Sequence, residues 1–177
     1  MTAFIERICK YDHLISSRLC DLRSNETLTG VMVLASRAGD GPTWVLLGLI
    51  MLIFGDSPGR SAAPVLVVSS MICIGVFKLV KSTTSRKRPF EEFADLPMDF
   101  RTPPPDRFSF PSGHSMNAFA VAVVYGYYFP FMLIPLLALA ALIAASRVFF
   151  SLHYPSDVTV GAAVGILVAS AVIHVIG

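Results

Sequence analysis

Three long apolar segments constrain this chain more than any other feature. Residues 62–80, 131–149 and 155–176 are almost free of charged side chains, and about 20 such residues span the hydrocarbon core of a bilayer as a helix. Inside a bilayer the backbone must satisfy its own hydrogen bonds, which favours helices. Only 15% of the residues are charged, against roughly 25% in soluble domains. These features predict an all-α, polytopic bundle of membrane helices.

Shorter apolar segments complete the predicted bundle. Residues 26–36 and 43–54 flank a break that contains Gly and Pro. We interpret them as a hairpin of two short or tilted helices, and one kinked span over 28–54 is the alternative. With residues 115–129 they bring the expectation to about six membrane helices. No change in composition marks a second domain, so residues 1–177 are predicted to form one.

Residues 1–24 are predicted to form an amphipathic helix in the membrane interface. Phe4, Ile8, Tyr11 and Ile15 recur at helical spacing with charged residues between them, which is typical of interfacial helices. A helix packed on the protein's own loops is the alternative. The same charges interrupt the apolar core that a cleaved signal peptide needs, so we expect none.

Composition excludes several classes of partner and cofactor. The net charge of +2 is too small to indicate nucleic-acid binding. The three cysteines form no Cys-x-x-Cys pair, so neither a disulfide framework nor a zinc site is expected. We expect no cofactor.

Three polar clusters interrupt the apolar sequence, at residues 81–89, 109–115 and 146–157. The helix over 62–80 ends at the first cluster, and the long loop of residues 82–111 returns to the membrane at the second. The next two helices form a hairpin, which brings the third cluster back to the same face. All three clusters are therefore expected on one side of the bilayer.

The first cluster carries two cations at helical spacing. Lys81 and Arg88 are seven residues apart, two turns of a helix, and no nearby carboxylate is matched to them. Such a pair suits the oxygens of a phosphate. A membrane-flanking basic cluster is the alternative.

The second cluster opens a helix. Ser112 is a natural N-cap after Pro111. The amides of Gly113 and His114 would then be free at a helix N-terminus, which is a ready anion site. His114 is placed to give a proton to a departing oxygen. An ordinary turn and cap is the alternative.

The third cluster contains Arg147, with His153 six residues later and Asp157 four beyond it. This spacing lets the carboxylate hold one imidazole nitrogen and leave the other free to attack. A capping pair is the alternative. A metal site on His114, His153 and Asp157 is rejected, because no further ligand has suitable spacing and the nearby cations would repel a divalent ion.

The motifs Lys-x6-Arg-Pro, Pro-Ser-Gly-His and Ser-Arg-x5-His-x3-Asp occur here in that order. The set resembles the three signature motifs of the type 2 phosphatidic acid phosphatase (PAP2) superfamily, which also includes acid phosphatases and vanadium haloperoxidases. The resemblance covers residues 60–177 well and residues 1–55 only in general character. It implies a PAP2/haloperoxidase-like helical core.

The resemblance also implies a role for each motif residue. His153 would be the nucleophile that forms a phosphohistidine, and Asp157 would orient it. His114 would protonate the leaving oxygen and then activate water. The implied ligands of the phosphoryl group are Lys81, Arg88, Ser112, Gly113 and Arg147. The resemblance implies no metal requirement and sensitivity to vanadate.

The leading hypothesis is an integral membrane phosphatase that acts on a lipid phosphate or diphosphate, with undecaprenyl diphosphate as the first choice. Phosphatidylglycerophosphate, phosphatidic acid and lipid A are the alternative substrates, and a lipid phosphotransferase is an alternative enzyme. A non-enzymatic anion or lipid transporter is disfavoured, because transporters usually bind near the bilayer midplane.

The sidedness of the predicted active face does not follow from charge. On the hairpin interpretation, five cations are counted on the active face, Lys78, Arg86, Lys87, Arg101 and Arg107, and five on the other, Arg7, Lys10, Arg18, Arg23 and Arg60. The positive-inside rule therefore does not decide. The resemblance implies a multi-pass protein of the inner (plasma) membrane with a cytoplasmic N-terminus. Its active site would lie on the periplasmic or extracellular face. The oligomeric state is left open.

Overall fold

The structure, a computed structural model, describes residues 2–54, 56–99, 101–104 and 106–177, and these residues form an all-α fold. Seven of its eight α-helices in this part of the chain have 13 residues or more. The helices are α1 Thr2–Asp21, α2 Glu26–Ala38, α3 Gly41–Phe54, α4 Ser57–Thr84, α5 Pro89–Glu92, α6 Gly113–Tyr128, α7 Leu133–Phe149 and α8 Pro155–Ile176.

Helix α6 lies at the centre of the bundle and packs against α4, α7 and α8. Glycines on α8 allow the closest of these contacts. A Cβ at Gly161 would lie 2.5 Å from the carbonyl oxygen of Ser112, and one at Gly165 would collide with the backbone of Met116. Small residues let membrane helices approach in this way. This contact brings the start of α8 against the start of α6, where the polar clusters are.

Three segments in the described part of the chain are long and apolar enough to cross a membrane: Ser57–Glu92, Pro130–Phe149 and Pro155–Ile176. Their outward side chains are apolar, and Ile134 is 78% exposed, as expected for helices that contact lipid. The other apolar helices, α2, α3 and α6, have 13, 14 and 16 residues. They are shorter than the roughly 20 residues of a full span. Three of the six predicted membrane helices are thus candidate spans by length and composition.

Helices α2 and α3 are separate, as predicted, but they diverge. Helix α2 packs against α7, whereas α3 packs against α4. Gly39 at their junction lies against His114, since a Cβ there would be 2.9 Å from the imidazole ring. The chain therefore turns at the polar end of the bundle, and α3 runs from there towards the opposite end, antiparallel to α4.

Helix α1 lies at the same polar end of the bundle, with its polar side towards the protein. Asp12 and Ser16 are 3% and 0% exposed, while Phe4 and Tyr11 are 68% and 63% exposed. Exposed apolar residues on one side of a helix suit the interfacial position predicted for residues 1–24. This position corrects the hairpin interpretation, which put the charged residues of α1 on the face opposite the motifs.

Candidate active site

The three polar clusters meet at one end of the bundle, as the order of the apolar segments predicts. Nη1 of Arg88 donates to the carbonyl oxygen of Leu152 at 2.6 Å. The backbone amide of Ser112 donates to the backbone carbonyl oxygen of Asp157 at 3.1 Å. These two bonds join the first cluster to the third and the second to the third. All eight predicted site residues lie in this region: Lys81, Arg88, Ser112, Gly113, His114, Arg147, His153 and Asp157.

His153 is held in one orientation by a backbone carbonyl. It lies in the buried turn between α7 and α8, and its Nδ1 is 2.6 Å from the carbonyl oxygen of Ser109. Because a carbonyl can only accept, Nδ1 carries the proton and Nε2 keeps its lone pair. Nε2 faces Nη1 of Arg88 at 3.5 Å. The pKa of His153 is lowered to about 3, mainly by burial. Asp157 opposes this shift, and the positive charges of Arg88 and Arg147 add to it. The imidazole is therefore neutral at pH 7.

Asp157 does not bond His153 directly, contrary to the prediction from their spacing. Its Oδ2 lies 3.8 Å from Nδ1 of His153, beyond hydrogen-bond distance. Oδ2 accepts from the amide of Tyr154 at 2.8 Å, and Oδ1 accepts from Nη1 of Arg86 at 2.6 Å. The fully buried carboxylate therefore caps the first turn of α8 and lies close enough to stabilise positive charge on the imidazole.

Lys81 and Arg88 share a carboxylate, which corrects the expectation that no nearby carboxylate matches them. Asp106 Oδ1 accepts from Nζ of Lys81 and, at 2.8 Å, from Nη2 of Arg88. Burial raises the pKa of Asp106, but its bonds to the two cations outweigh this and hold that pKa below its usual value. One carboxylate oxygen thus lies between the two cations.

The two cations converge for a different reason from the one predicted. Helix α4 ends at Thr84, and Ser85 has a φ of 48° in the left-handed region. Arg88 is extended, with φ −79° and ψ 154°, as the following proline favours. The chain therefore turns back after α4, and the seven-residue spacing is not two turns of one helix.

Arg147 has unused hydrogen-bond donors in a buried position. It is 2% exposed, and its Nη1 donates to the hydroxyl of Ser36 at 2.5 Å. Its Nε and Nη2 are buried and have no hydrogen-bond partner among the described residues. Unpaired buried donors are uncommon, and a guanidinium presents its N–H groups in a fork that matches phosphate oxygens. These two nitrogens suit an anion.

The start of α6 has the predicted cap. Ser112 Oγ accepts from the amide of Ser115 at 3.4 Å and from its hydroxyl at 3.2 Å. The Ser112 oxygen thus accepts within the helix start, and its own O–H remains able to donate. Gly113 and His114 occupy the first two helical positions, where amides have no partner in the preceding turn. A Cβ at Gly113 would lie 3.1 Å from the ring of Phe77, so glycine allows this close packing.

His114 pairs with a carboxylate that the sequence motifs do not contain. Its Nε2 lies 3.0 Å from Oδ1 of Asp40, which is 53% exposed at the α2–α3 junction. Burial, and then Arg147, lower the pKa of His114 to about 4, and the pairing with Asp40 opposes this shift by favouring the protonated imidazole. Asp40 stands between two glycines in the sequence, which is a weak signal for a functional turn.

An apolar cavity of about 580 Å³ leads from His114 and Asp106 between α3, α4 and α6. Apolar side chains of these helices line it, including Trp44, Leu49, Leu66, Ile74 and Phe77. The polar end of the cavity coincides with the clustered motif residues. The cavity can accommodate a hydrocarbon chain attached to a group bound at that end.

No cluster of three or more His, Cys, Asp or Glu side chains arranged to hold a metal ion occurs in residues 2–54, 56–99, 101–104 or 106–177. The arrangement instead combines a neutral histidine with a free ring nitrogen, a second histidine paired with a carboxylate, and three cations. Anion binding followed by attack of a nitrogen on an electrophile is the chemistry that these groups support.

Comparison with known proteins agrees with this chemistry. The model of the PAP2 superfamily matches residues 63–177. Undecaprenyl-diphosphatase of Sulfolobus acidocaldarius is 32% identical over 145 residues, which is 81% of this chain and 68% of that protein. Phosphatidylglycerophosphatase B of Bacillus subtilis is 30% identical over 154 residues, 81% of this chain and 70% of that protein.

The fold is also found in a solved structure. The crystal structure of a transmembrane PAP2-type phosphatidylglycerolphosphate phosphatase from Bacillus subtilis superimposes with a TM-score of 0.75 at 25% identity, covering 96% of this chain and 86% of that one. The protein is thus a membrane protein with several apolar helices. It belongs to the PAP2 superfamily and is a phosphatase, a hydrolase that acts on lipid phosphates.

Proposed function

We propose that this protein hydrolyses a lipid phosphate or diphosphate through a phosphohistidine on Nε2 of His153. The observation that carries the proposal is the state of that imidazole. Its Nδ1 is engaged by the carbonyl of Ser109 at 2.6 Å, and its Nε2 faces Arg88. A neutral, oriented imidazole next to cations is what nucleophilic attack on phosphorus requires.

In the first step, Nε2 of His153 forms a bond to the terminal phosphorus as the bond to the leaving oxygen breaks, which is the lipid oxygen of a monophosphate or the bridging oxygen of a diphosphate. His114 gives its proton to that leaving oxygen. The imidazole of His153 becomes positive, and Asp157 at 3.8 Å stabilises this charge. In the second step, His114 takes a proton from water as the water oxygen attacks phosphorus. The bond to Nε2 breaks, inorganic phosphate leaves, and both histidines return to their initial states.

The remaining motif residues would bind the phosphoryl oxygens during both steps. Arg147 offers two buried N–H groups that have no partner among the described residues, and the amides of Gly113 and His114 lie at the N-terminus of α6. Lys81 and Arg88 become available when Asp106 is displaced. Ser112 caps the helix that presents these amides, and its own O–H would donate to a phosphoryl oxygen.

Undecaprenyl diphosphate is our first choice of substrate. The cavity between α3, α4 and α6 suits an apolar chain whose phosphate lies at His114. A relative covering 81% of the chain is an undecaprenyl-diphosphatase. Phosphatidylglycerophosphate, phosphatidic acid and lipid A remain the competing substrates, and transfer of the phosphoryl group to an alcohol is the competing reaction.

We propose further that the active face lies on the cytoplasmic side of the plasma (inner) membrane. With α1 and α2 at the polar end of the bundle, ten Lys and Arg residues besides Lys81, Arg88 and Arg147 lie at that end, whereas Arg60 at the start of α4 lies at the other. Lys and Arg concentrate on the cytoplasmic side of membrane proteins. The outward-facing site that the resemblance implies is the alternative orientation.

Two experiments test these proposals. Purified protein in detergent is expected to release phosphate from undecaprenyl diphosphate without added metal, faster than from phosphatidylglycerophosphate or phosphatidic acid. No release from any of the three would contradict the function. For orientation, a single cysteine at position 104 in a cysteine-free background should react with an impermeant reagent only after cells are permeabilised. A cysteine at position 60 should react in intact cells, and the reverse pattern would contradict the orientation.

A further inference from the structure

We propose that Asp12 and Arg86 are positioning residues for the reaction at His153, acting through Asp157. Asp12 lies on α1, outside the residues matched by the family model, and Arg86 lies between the Lys and Arg that define the first motif. The inference rests on the proposed function, because it assigns these two residues to the same site.

Arg86 connects the two buried carboxylates. Its Nη1 donates to Asp157 Oδ1 at 2.6 Å, and its Nη2 donates to Asp12 Oδ2 at 2.8 Å. Its guanidinium lies over the ring of Tyr154, 4.1 Å from the centroid. The planar guanidinium is thus fixed by two ion pairs and an aromatic face, which is a geometry that lysine does not reproduce.

Asp12 closes the other side of this network. It is 3% exposed, its Oδ1 accepts from the amide of Ser156 at 2.9 Å, and its Oδ2 accepts from the Ser156 hydroxyl at 2.5 Å. Ser156 directly precedes Asp157 in the first turn of α8. A carboxylate from the N-terminal helix therefore fixes the backbone that carries Asp157.

The network determines where the charge of Asp157 lies. The amide of Tyr154 holds Oδ2 and Arg86 holds Oδ1, which keeps the carboxylate 3.8 Å from Nδ1 of His153. At this distance Asp157 stabilises the positive imidazole without removing Nδ1 from the carbonyl of Ser109. Without Arg86, the carboxylate would be buried with less compensation, and its position and charge would both change.

The test uses the full-length protein in lipid–detergent micelles, with kcat and KM measured on undecaprenyl diphosphate. Because the phosphate ligands are untouched, R86A is expected to lower kcat about tenfold or more and to leave KM within about twofold, and D12N to act in the same direction. Added methylguanidinium should restore part of the kcat of R86A, and R86K should be less active than wild type.

Two variants serve as matched controls. R101A removes an exposed arginine of the same loop, and D21N removes an exposed carboxylate of α1; both should keep the wild-type kcat. Wild-type kcat in R86A and D12N would overturn the inference while leaving the proposed function intact. A loss of kcat in R86A that methylguanidinium does not recover would also overturn it, because that outcome indicates a purely structural role. Absence of activity in the wild-type protein would instead contradict the proposed function.

Discussion

The carbonyl oxygen of Ser109 lies 2.6 Å from Nδ1 of His153. This bond fixes the tautomer of the imidazole from a loop that directly precedes the Pro-Ser-Gly-His motif. The same loop supplies Asp106 to the two cations of the first cluster. The loop therefore sets both the orientation of the proposed nucleophile and the charge of the proposed phosphate site.

Replacing Asp106 by asparagine should strengthen anion binding. The carboxylate competes with phosphate for Lys81 and Arg88, and charge-assisted hydrogen bonds contribute about 1.5–3 kcal/mol each. We expect the inhibition constant for inorganic phosphate to fall on the order of tenfold in D106N. D99N is the control, since Asp99 pairs with Arg101 on the same loop. A higher inhibition constant in D106N would show that Asp106 organises the cations instead of competing for them.

Replacing Asp40 by asparagine should weaken proton transfer to the leaving oxygen. Asp40 lies 3.0 Å from His114, and general acid catalysis typically contributes about 10²–10⁴-fold. We expect D40N to lower kcat for an alkyl phosphate about tenfold or more, while para-nitrophenyl phosphate, whose leaving group needs no proton, is affected much less. Equal losses on both substrates would rule out this role.

A side chain that fills the apolar cavity should raise KM for substrates with a long hydrocarbon chain and leave KM unchanged for substrates without one. Gly48 lines the cavity on α3, and Leu46 on the same helix is 59% exposed and faces away. We expect G48F to raise KM for undecaprenyl diphosphate while leaving that for para-nitrophenyl phosphate unchanged. L46F should change neither. If G48F leaves the KM of the long-chain substrate unchanged, the chain binds elsewhere.

The buried His153 should make the protein less stable in acid. Its pKa is lowered from 6.5 to about 3 in the folded protein, mainly by burial. Between these values the unfolded state binds a proton that the folded state does not, so the free energy of unfolding falls as pH falls. Thermal unfolding in detergent from pH 7 to pH 4.5 should therefore depend less on pH in H153Q than in wild type. The same pH dependence in H153Q as in wild type would contradict the low pKa.

The sequence predicts those parts of the site that depend on local chemistry or on the order of apolar segments. Ser112 caps α6 because the cap is a local interaction. The three clusters meet because each helix reverses the direction of the chain. Lys81 and Arg88 also meet, although through a turn at Ser85 instead of a continuous helix.

The partners of the motif residues could not be predicted in the same way. Asp40 is 74 residues from His114 in sequence, and Asp12 is 74 residues from Arg86. Such pairs are set by how α1 and the α2–α3 junction pack on the bundle. The buried side of α1 carries two polar residues, Asp12 and Ser16, whereas the amphipathic pattern of α1 identifies only the apolar side that faces away from the protein.

The most direct test of the account is to identify the phosphorylated atom. H114A with para-nitrophenyl phosphate should form the phosphoenzyme, because this leaving group needs no proton, and should hydrolyse it slowly, because His114 no longer activates water. Mass spectrometry and ³¹P NMR of the trapped protein are predicted to show one phosphoryl group on Nε2 of His153, absent from the double variant with H153A. A phosphoryl group on Nδ1 or on another residue, or turnover by H153A at the wild-type rate, would contradict the account.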